Sequence, residues 1–119
     1  MARVCGMPAF PRHIPIIQRE KLVHYLLSFS SPRGREKARY FASVGYLPAN
    51  WRELQTDLLD AVQAAPPANP SLTPYGAKFR VDLEFIGPTG RVVRLVTIWL
   101  AQSASSAPRL ITAYPRRVS

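Results

Sequence analysis

The clearest periodicity in the chain lies in its last third, where Lys78-Phe79-Arg80-Val81-Asp82-Leu83-Glu84-Phe85 alternates strictly between polar and apolar. Phe79, Val81, Leu83 and Phe85 fall on one face, and Lys78, Arg80, Asp82 and Glu84 on the other. That period of two predicts a half-buried strand. Gly87-Pro88-Thr89-Gly90 supplies a chain reversal with residues able to take positive φ. Arg91 to Leu100 is then almost continuously apolar and β-branched, as expected of a central strand covered on both faces. After a Ser/Ala loop, Arg109 to Tyr114 predicts a third strand, stopped by Pro115. Residues 75–115 therefore predict one antiparallel three-stranded meander.

Helical spacing precedes the strands. Ile14 to Ile17 predicts a short extended entry, because the residue before a proline avoids the α region. A first helix is expected from Gln18 to Ser28, with Leu22, Leu26 and Tyr25 on its buried stripe. Ser31-Pro32 has the form of an N-cap followed by proline at the first helical position, opening a second helix. That helix runs to Val44 and ends at Gly45 as its C′ residue. Ala38, Phe41, Ala42 and Val44 form its core side, and Arg33, Arg35, Lys37 and Arg39 a comb of positive charge. Asn50 with Glu53 three residues on predicts a capping box for a third helix, whose stripe is Trp51, Leu54, Leu58, Ala61 and Val62. Ala64 to Pro74, with four prolines, is expected to be a surface loop.

The expected fold is α+β: two to three N-terminal helices packed on one face of a C-terminal antiparallel sheet of three to four strands. A flexible arm is expected over 1–13, a single domain over 14–115 and a basic tail over 116–119. At 119 residues and 47% hydrophobic, the chain can bury a core of its own.

Charge changes the functional picture. The net charge is +9, and thirteen of the sixteen basic residues are arginine, which forks onto phosphate oxygens. This favours a phosphate-bearing partner, nucleic acid first, and an acidic protein second. The first 50 residues carry eight basic and two acidic side chains, residues 51–70 one and three, and residues 71–119 seven and two. One binding face made by the second helix and the sheet, with the third helix turned away, accounts for that segregation. The single cysteine, Cys5, cannot form an internal disulfide, which points to a reducing compartment. With no apolar run of membrane-spanning length and no signal-peptide h-region at the N-terminus, the chain is expected to be cytoplasmic, with no membrane partner.

A zinc site needs several Cys/His ligands, and the chain offers only Cys5, His13 and His24. No Walker-type loop or dinucleotide fingerprint is present, so neither a metal nor a cofactor is expected. What remains is chemistry by Arg, Lys, His, Tyr and Thr. RNA permits it, because a 2′-hydroxyl can attack its own phosphate if donors stabilise the phosphorane and groups move the protons. His24 is either a proton-transfer group or a surface histidine. Lys37 either brings its ammonium to the helix–sheet junction or extends into solvent. Trp99 either stacks a base or fills the core. The hydroxyls of Thr112 and Tyr114 share a face, open to chemistry if that face is a cleft.

Several segments resemble a small uncharacterised bacterial domain family. They are Lys21-Leu22, Tyr25-Leu26-Leu27, Gly34 to Phe41, Gly45, Tyr75-Gly76, Gly90-Arg91, Thr97-Ile98-Trp99 and Pro108 to Pro115. That family occurs beside tiny partner genes and at the ends of larger toxin or phage-head proteins. Its layout is similar to the barnase–EndoU–colicin–RelE group of metal-independent ribonucleases. The resemblance implies a ribonuclease toxin, one half of a toxin–antitoxin pair, with a small acidic antitoxin or immunity protein as partner. It places Thr112 and Tyr114 on the functional strand and Lys37 at the basic helix position. The sheet histidine used by many members is missing. Lys37 and Arg91 are then expected to neutralise the scissile phosphate, with Thr112 and Tyr114 positioning or protonating. Arg33, Arg35, Arg39, Lys78, Arg80, Trp99 and Arg109 are expected to bind the nucleic acid. The alternative is a non-catalytic RNA- or protein-binding module on the same face.

Overall fold

The computed structural model describes residues 15–30, 35–65, 70–103 and 106–116. The predicted arm, Arg33 and Gly34 at the start of the second helix, and the tail beyond Arg116 lie outside them. Helix α1 (Arg19–Lys21) runs directly into a π-helical turn, Leu22–Leu26. The wider turn lets Leu22 and Leu27, five residues apart, both face the core, and the Leu27 N–H bonds the Leu22 carbonyl at 2.8 Å. Tyr25, expected in the buried stripe, is only half-buried.

Helix α2 (Arg35–Ser43) buries Ala38 and Phe41. It ends as the sequence predicts: Gly45 takes φ +104°, the Tyr46 N–H bonds the Phe41 carbonyl, and the Gly45 N–H bonds that of Ala42. A Cβ at Gly45 would stand 2.8 Å from Pro88 Cγ, so this glycine also seats the helix end on the Gly87–Gly90 turn.

Pro48–Asn50 forms a 3₁₀ turn that leads into α3 (Trp51–Ala64). The expected cap is not made. Asn50 accepts the Leu47 N–H at 2.6 Å and donates to the Gly45 carbonyl and to Glu53, because the 3₁₀ turn points its side chain backwards. Helix α3 buries Leu54, Leu58 and Val62, with Trp51 and Ala61 half-buried beside them.

The sheet has four antiparallel strands in the order β1-β2-β3-β4: Pro70–Thr73, Gly76–Ile86, Val92–Ala101 and Arg109–Pro115. Strand β1 lies inside the segment expected to be loop. Thr73 closes its turn, accepting from the Tyr75 N–H and donating to the Gly76 carbonyl, and Pro70 sits first on an edge strand, where no donor is required. Phe79, Val81, Leu83, Val93, Leu95 and Trp99 face the helices and close the core with Phe41, Tyr46 and the leucines.

No described helix covers the other face, so β3 is not covered on both sides as expected. Val96 is nonetheless buried, shielded by its cross-strand neighbours Asp82 and Tyr114. A bulge opposite Ile98/Trp99 makes Ile111 the extra residue, so Leu110 and Ala113 face the core and Ile111 does not, although strict alternation would place Ile111 on the face of Ala113. The entry segment pairs in parallel with β4. The Ile16 N–H bonds the Pro108 carbonyl at 2.8 Å, and the Leu110 N–H bonds the Ile16 carbonyl at 2.9 Å.

Candidate active site

At the β4 edge of the sheet, three elements bring polar side chains together. The π turn presents Tyr25, α1 presents Lys21 one turn before it, and the first turn of α2 presents Lys37. The two ammonium nitrogens lie 5.4 Å and 5.3 Å from the centroid of the Tyr25 ring. The Tyr25 hydroxyl lies 3.5 Å from Thr112 Oγ1 on β4, a long hydrogen bond. Lys37 is half-buried on the Phe41 side of its helix, the inward position its spacing allowed.

Burial opposes ionisation of the Tyr25 phenol. The Thr112 hydroxyl, the adjacent Lys37 ammonium and the charge of Lys21 outweigh it and hold the pKa below the ordinary phenol range. A half-exposed tyrosine with a lowered pKa, between two cations, is a candidate to take up a proton from a bound hydroxyl. The sequence pattern assigns Tyr25 no chemical role, because its spacing with Leu22 and Leu26 is that of core. The signal that could have found it is the i, i+4 pairing of Lys21 with an aromatic beside the basic second helix.

The structure unites Lys37 with Thr112 and separates the other two expected members. Arg91 follows the Gly87–Gly90 turn at the C-terminal end of α2, whereas Lys37 is in its first turn, about 9 Å from that end along the helix. Tyr114 shares the Thr112 face one pleat further along β4, 38% exposed, and lies near Arg80 rather than Tyr25.

Of the residues expected to bind nucleic acid, Arg35 and Arg39 are exposed on α2 and Arg109 is exposed at the start of β4. Lys78 and Arg80 are exposed on the helix-free sheet face. There Arg80 and Arg116 pair with Asp82, and Arg94 with Glu84, which leaves that face less positive than its arginine count suggests. Trp99 must be removed from the expected set. It is 0% exposed and donates from Nε1 to the buried Thr97 hydroxyl at 2.8 Å, so no ring face is offered to a base. His24 is exposed on the π turn, next to Tyr25 in sequence.

A chain of the contact-dependent growth inhibition toxin–immunity protein complex from Klebsiella pneumoniae 342 is similar in fold, with a TM-score of 0.67. The match covers 85% of this chain and 99% of that one at 16% identity, a likeness of fold. No curated protein matches the chain. Residues 12–117 match the family described as Domain of unknown function (DUF6883), and the chain belongs to that family.

Proposed function

We propose that this domain is a toxin acting as a metal-independent endoribonuclease, the toxin half of a pair whose acidic antitoxin or immunity protein covers the basic edge. The observation that carries the reading is the Tyr25 phenol, held between Lys21 and Lys37 and against Thr112, contacts that lower its pKa from the ordinary phenol value. The net charge of +9 and the fold shared with a chain from a toxin–immunity complex support it.

Tyr25, as phenolate, takes the proton of a 2′-hydroxyl while O2′ bonds to phosphorus and the P–O5′ bond breaks. Lys21 and Lys37 neutralise the phosphorane oxygens, and Lys37 returns a proton to O5′. The Thr112 hydroxyl donates to the phenolate and fixes its direction. The products are a 2′,3′-cyclic phosphate and a 5′-hydroxyl, with no cofactor required. Arg35, Arg39 and Arg109 flank the cluster and hold the RNA strand by its phosphates.

The test is inducible expression in a bacterial host of wild type, Tyr25→Phe and Lys37→Ala, with total RNA run on gels and cut ends analysed. Growth arrest with cyclic-phosphate ends is expected for wild type. A loss of about 10²–10⁴-fold is expected for Tyr25→Phe in purified form. Intact RNA at high expression of folded wild type refutes the nuclease. Salt-sensitive RNA binding without cleavage would instead establish the binding module.

A further inference from the structure

The opposite edge of the sheet has its own construction. Strand β1 pairs only with residues 76–79 of β2, so β2 continues past it with no strand paired to that edge among the described residues. The Gly87 N–H bonds the Arg91 carbonyl, which makes Gly87/Arg91 a hydrogen-bonded pair and sets the ladder's phase. Counting back by two, the odd residues of β2 bond β3, and Asp82, Glu84 and Ile86 point their N–H and C=O groups outward. None of these six groups has a hydrogen-bond partner among the described residues. Ile86, at the end of this edge, is 62% exposed.

The edge is the floor of a cleft of about 550 Å³ whose wall is the C-terminal half of α3. Ala61, Ala64 and Ala65 make that wall shallow, and Asp57 and Asp60 make it acidic. Neither aspartate forms an ion pair among the described residues. Asp57, Asp60, Asp82 and Glu84 line the cleft against one cation, Arg116, which pairs with Asp82. On a chain of net charge +9 the cleft is therefore net negative, lies at the sheet edge remote from Tyr25 and selects its occupant by charge.

We propose that this edge is a docking site for an extended, Lys/Arg-bearing segment of a partner protein, which adds to β2 as an antiparallel strand. The segment's main chain pairs with Asp82, Glu84 and Ile86, and its basic side chains meet Asp57 and Asp60 across the cleft. A second copy of this chain is the wrong occupant. Pairing β2 with β2 about Glu84 sets glutamate against glutamate, and like charges directly opposite destabilise a ladder.

The test is an amide NMR titration of the ¹⁵N-labelled full chain with two synthetic capped hexapeptides, one alternating Arg and Val, the other Glu and Val. The arginine peptide is expected to shift the Asp82, Glu84 and Ile86 amide protons and slow their exchange, and the glutamate peptide to leave them unchanged. Glu84→Pro removes an outward N–H that the β3 ladder does not use, and is expected to abolish the effect. Asp60→Lys, an exposed change that keeps the fold, is expected to weaken binding by about tenfold. Unchanged amides at saturating arginine peptide, or equal response to both peptides, overturn the proposal. So does a concentration-dependent dimer protecting those amides without peptide, which assigns the edge to a second copy. None of these outcomes depends on RNA cleavage, so this proposal and the ribonuclease reading fail separately.

Discussion

Replacing Tyr46 with phenylalanine removes one oxygen from the centre of the molecule and tests how α2 and α3 are tied together. Tyr46 is fully buried, its ring stands edge-on to Phe41, and its hydroxyl donates to Asp57 Oδ2 on α3. A hydrogen bond to a charged partner contributes about 1.5–3 kcal/mol. Asp57 is half-buried, so water can replace the lost donor, which sets Tyr46→Phe near the low end, about 1.5 kcal/mol. For 119 residues the unfolding entropy near Tm is about 0.25 kcal/mol/K, so Tm should fall by about 6 °C.

The same site predicts a pH dependence. Burial, then the Asp57 carboxylate, pushes the Tyr46 pKa well above the ordinary phenol range. A raised folded-state pKa means that the stabilisation is fully present below the unfolded value, near about 10, and is lost as pH rises beyond it. One proton gives a slope of up to about 1.4 kcal/mol per pH unit. Urea unfolding followed by tryptophan fluorescence, from about pH 7 to about pH 11, measures both effects in the wild type and variant together. The stability difference should be constant to about pH 10 and then shrink. A difference under about 0.5 kcal/mol at neutral pH, with no convergence above pH 10, refutes the tie between Tyr46 and Asp57.

Tyr25 gives the opposite sign. Its lowered pKa favours the anion when folded, so it adds stability above the unfolded value that is lost as pH falls through the folded value. Cleavage of an RNA oligonucleotide should rise with pH through that lowered pKa, and Tyr25→Phe should flatten the rise. Gly76→Ala should cost about 3 kcal/mol or more by chemical denaturation, because Gly76 has φ +130° and a Cβ would stand 2.3 Å from the Ala101 carbonyl oxygen. Tyr40→Phe should cost about 1 kcal/mol and speed exchange of the Arg94 amide, whose N–H bonds the Tyr40 hydroxyl at 3.1 Å where β4 ends.

Local periodicity and turn chemistry by themselves determined much of this fold. The alternation from Phe79 to Phe85 set β2 and its buried face, and Gly45 ended α2, each a preference expressed within a few residues. Pro115, by contrast, is the last residue of β4 and pairs with Leu95 rather than stopping the strand ahead of it. The inward lean of Lys37 was also legible, because helical spacing places it beside Phe41. Tertiary structure decided the rest. β1 exists because β2 offers its backbone to a segment whose prolines read locally as loop, and the bulge at Ile111 reassigns the core face of β4. Thr112 reaches Tyr25 across 87 positions of sequence, and Arg91 is carried away from Lys37 by the length of a helix. That no described strand pairs with β2 beyond residue 79 on that edge is likewise a property of the assembled sheet. Spacing along a chain records which face a residue takes on its own element, but which elements share an edge is settled only when the core closes.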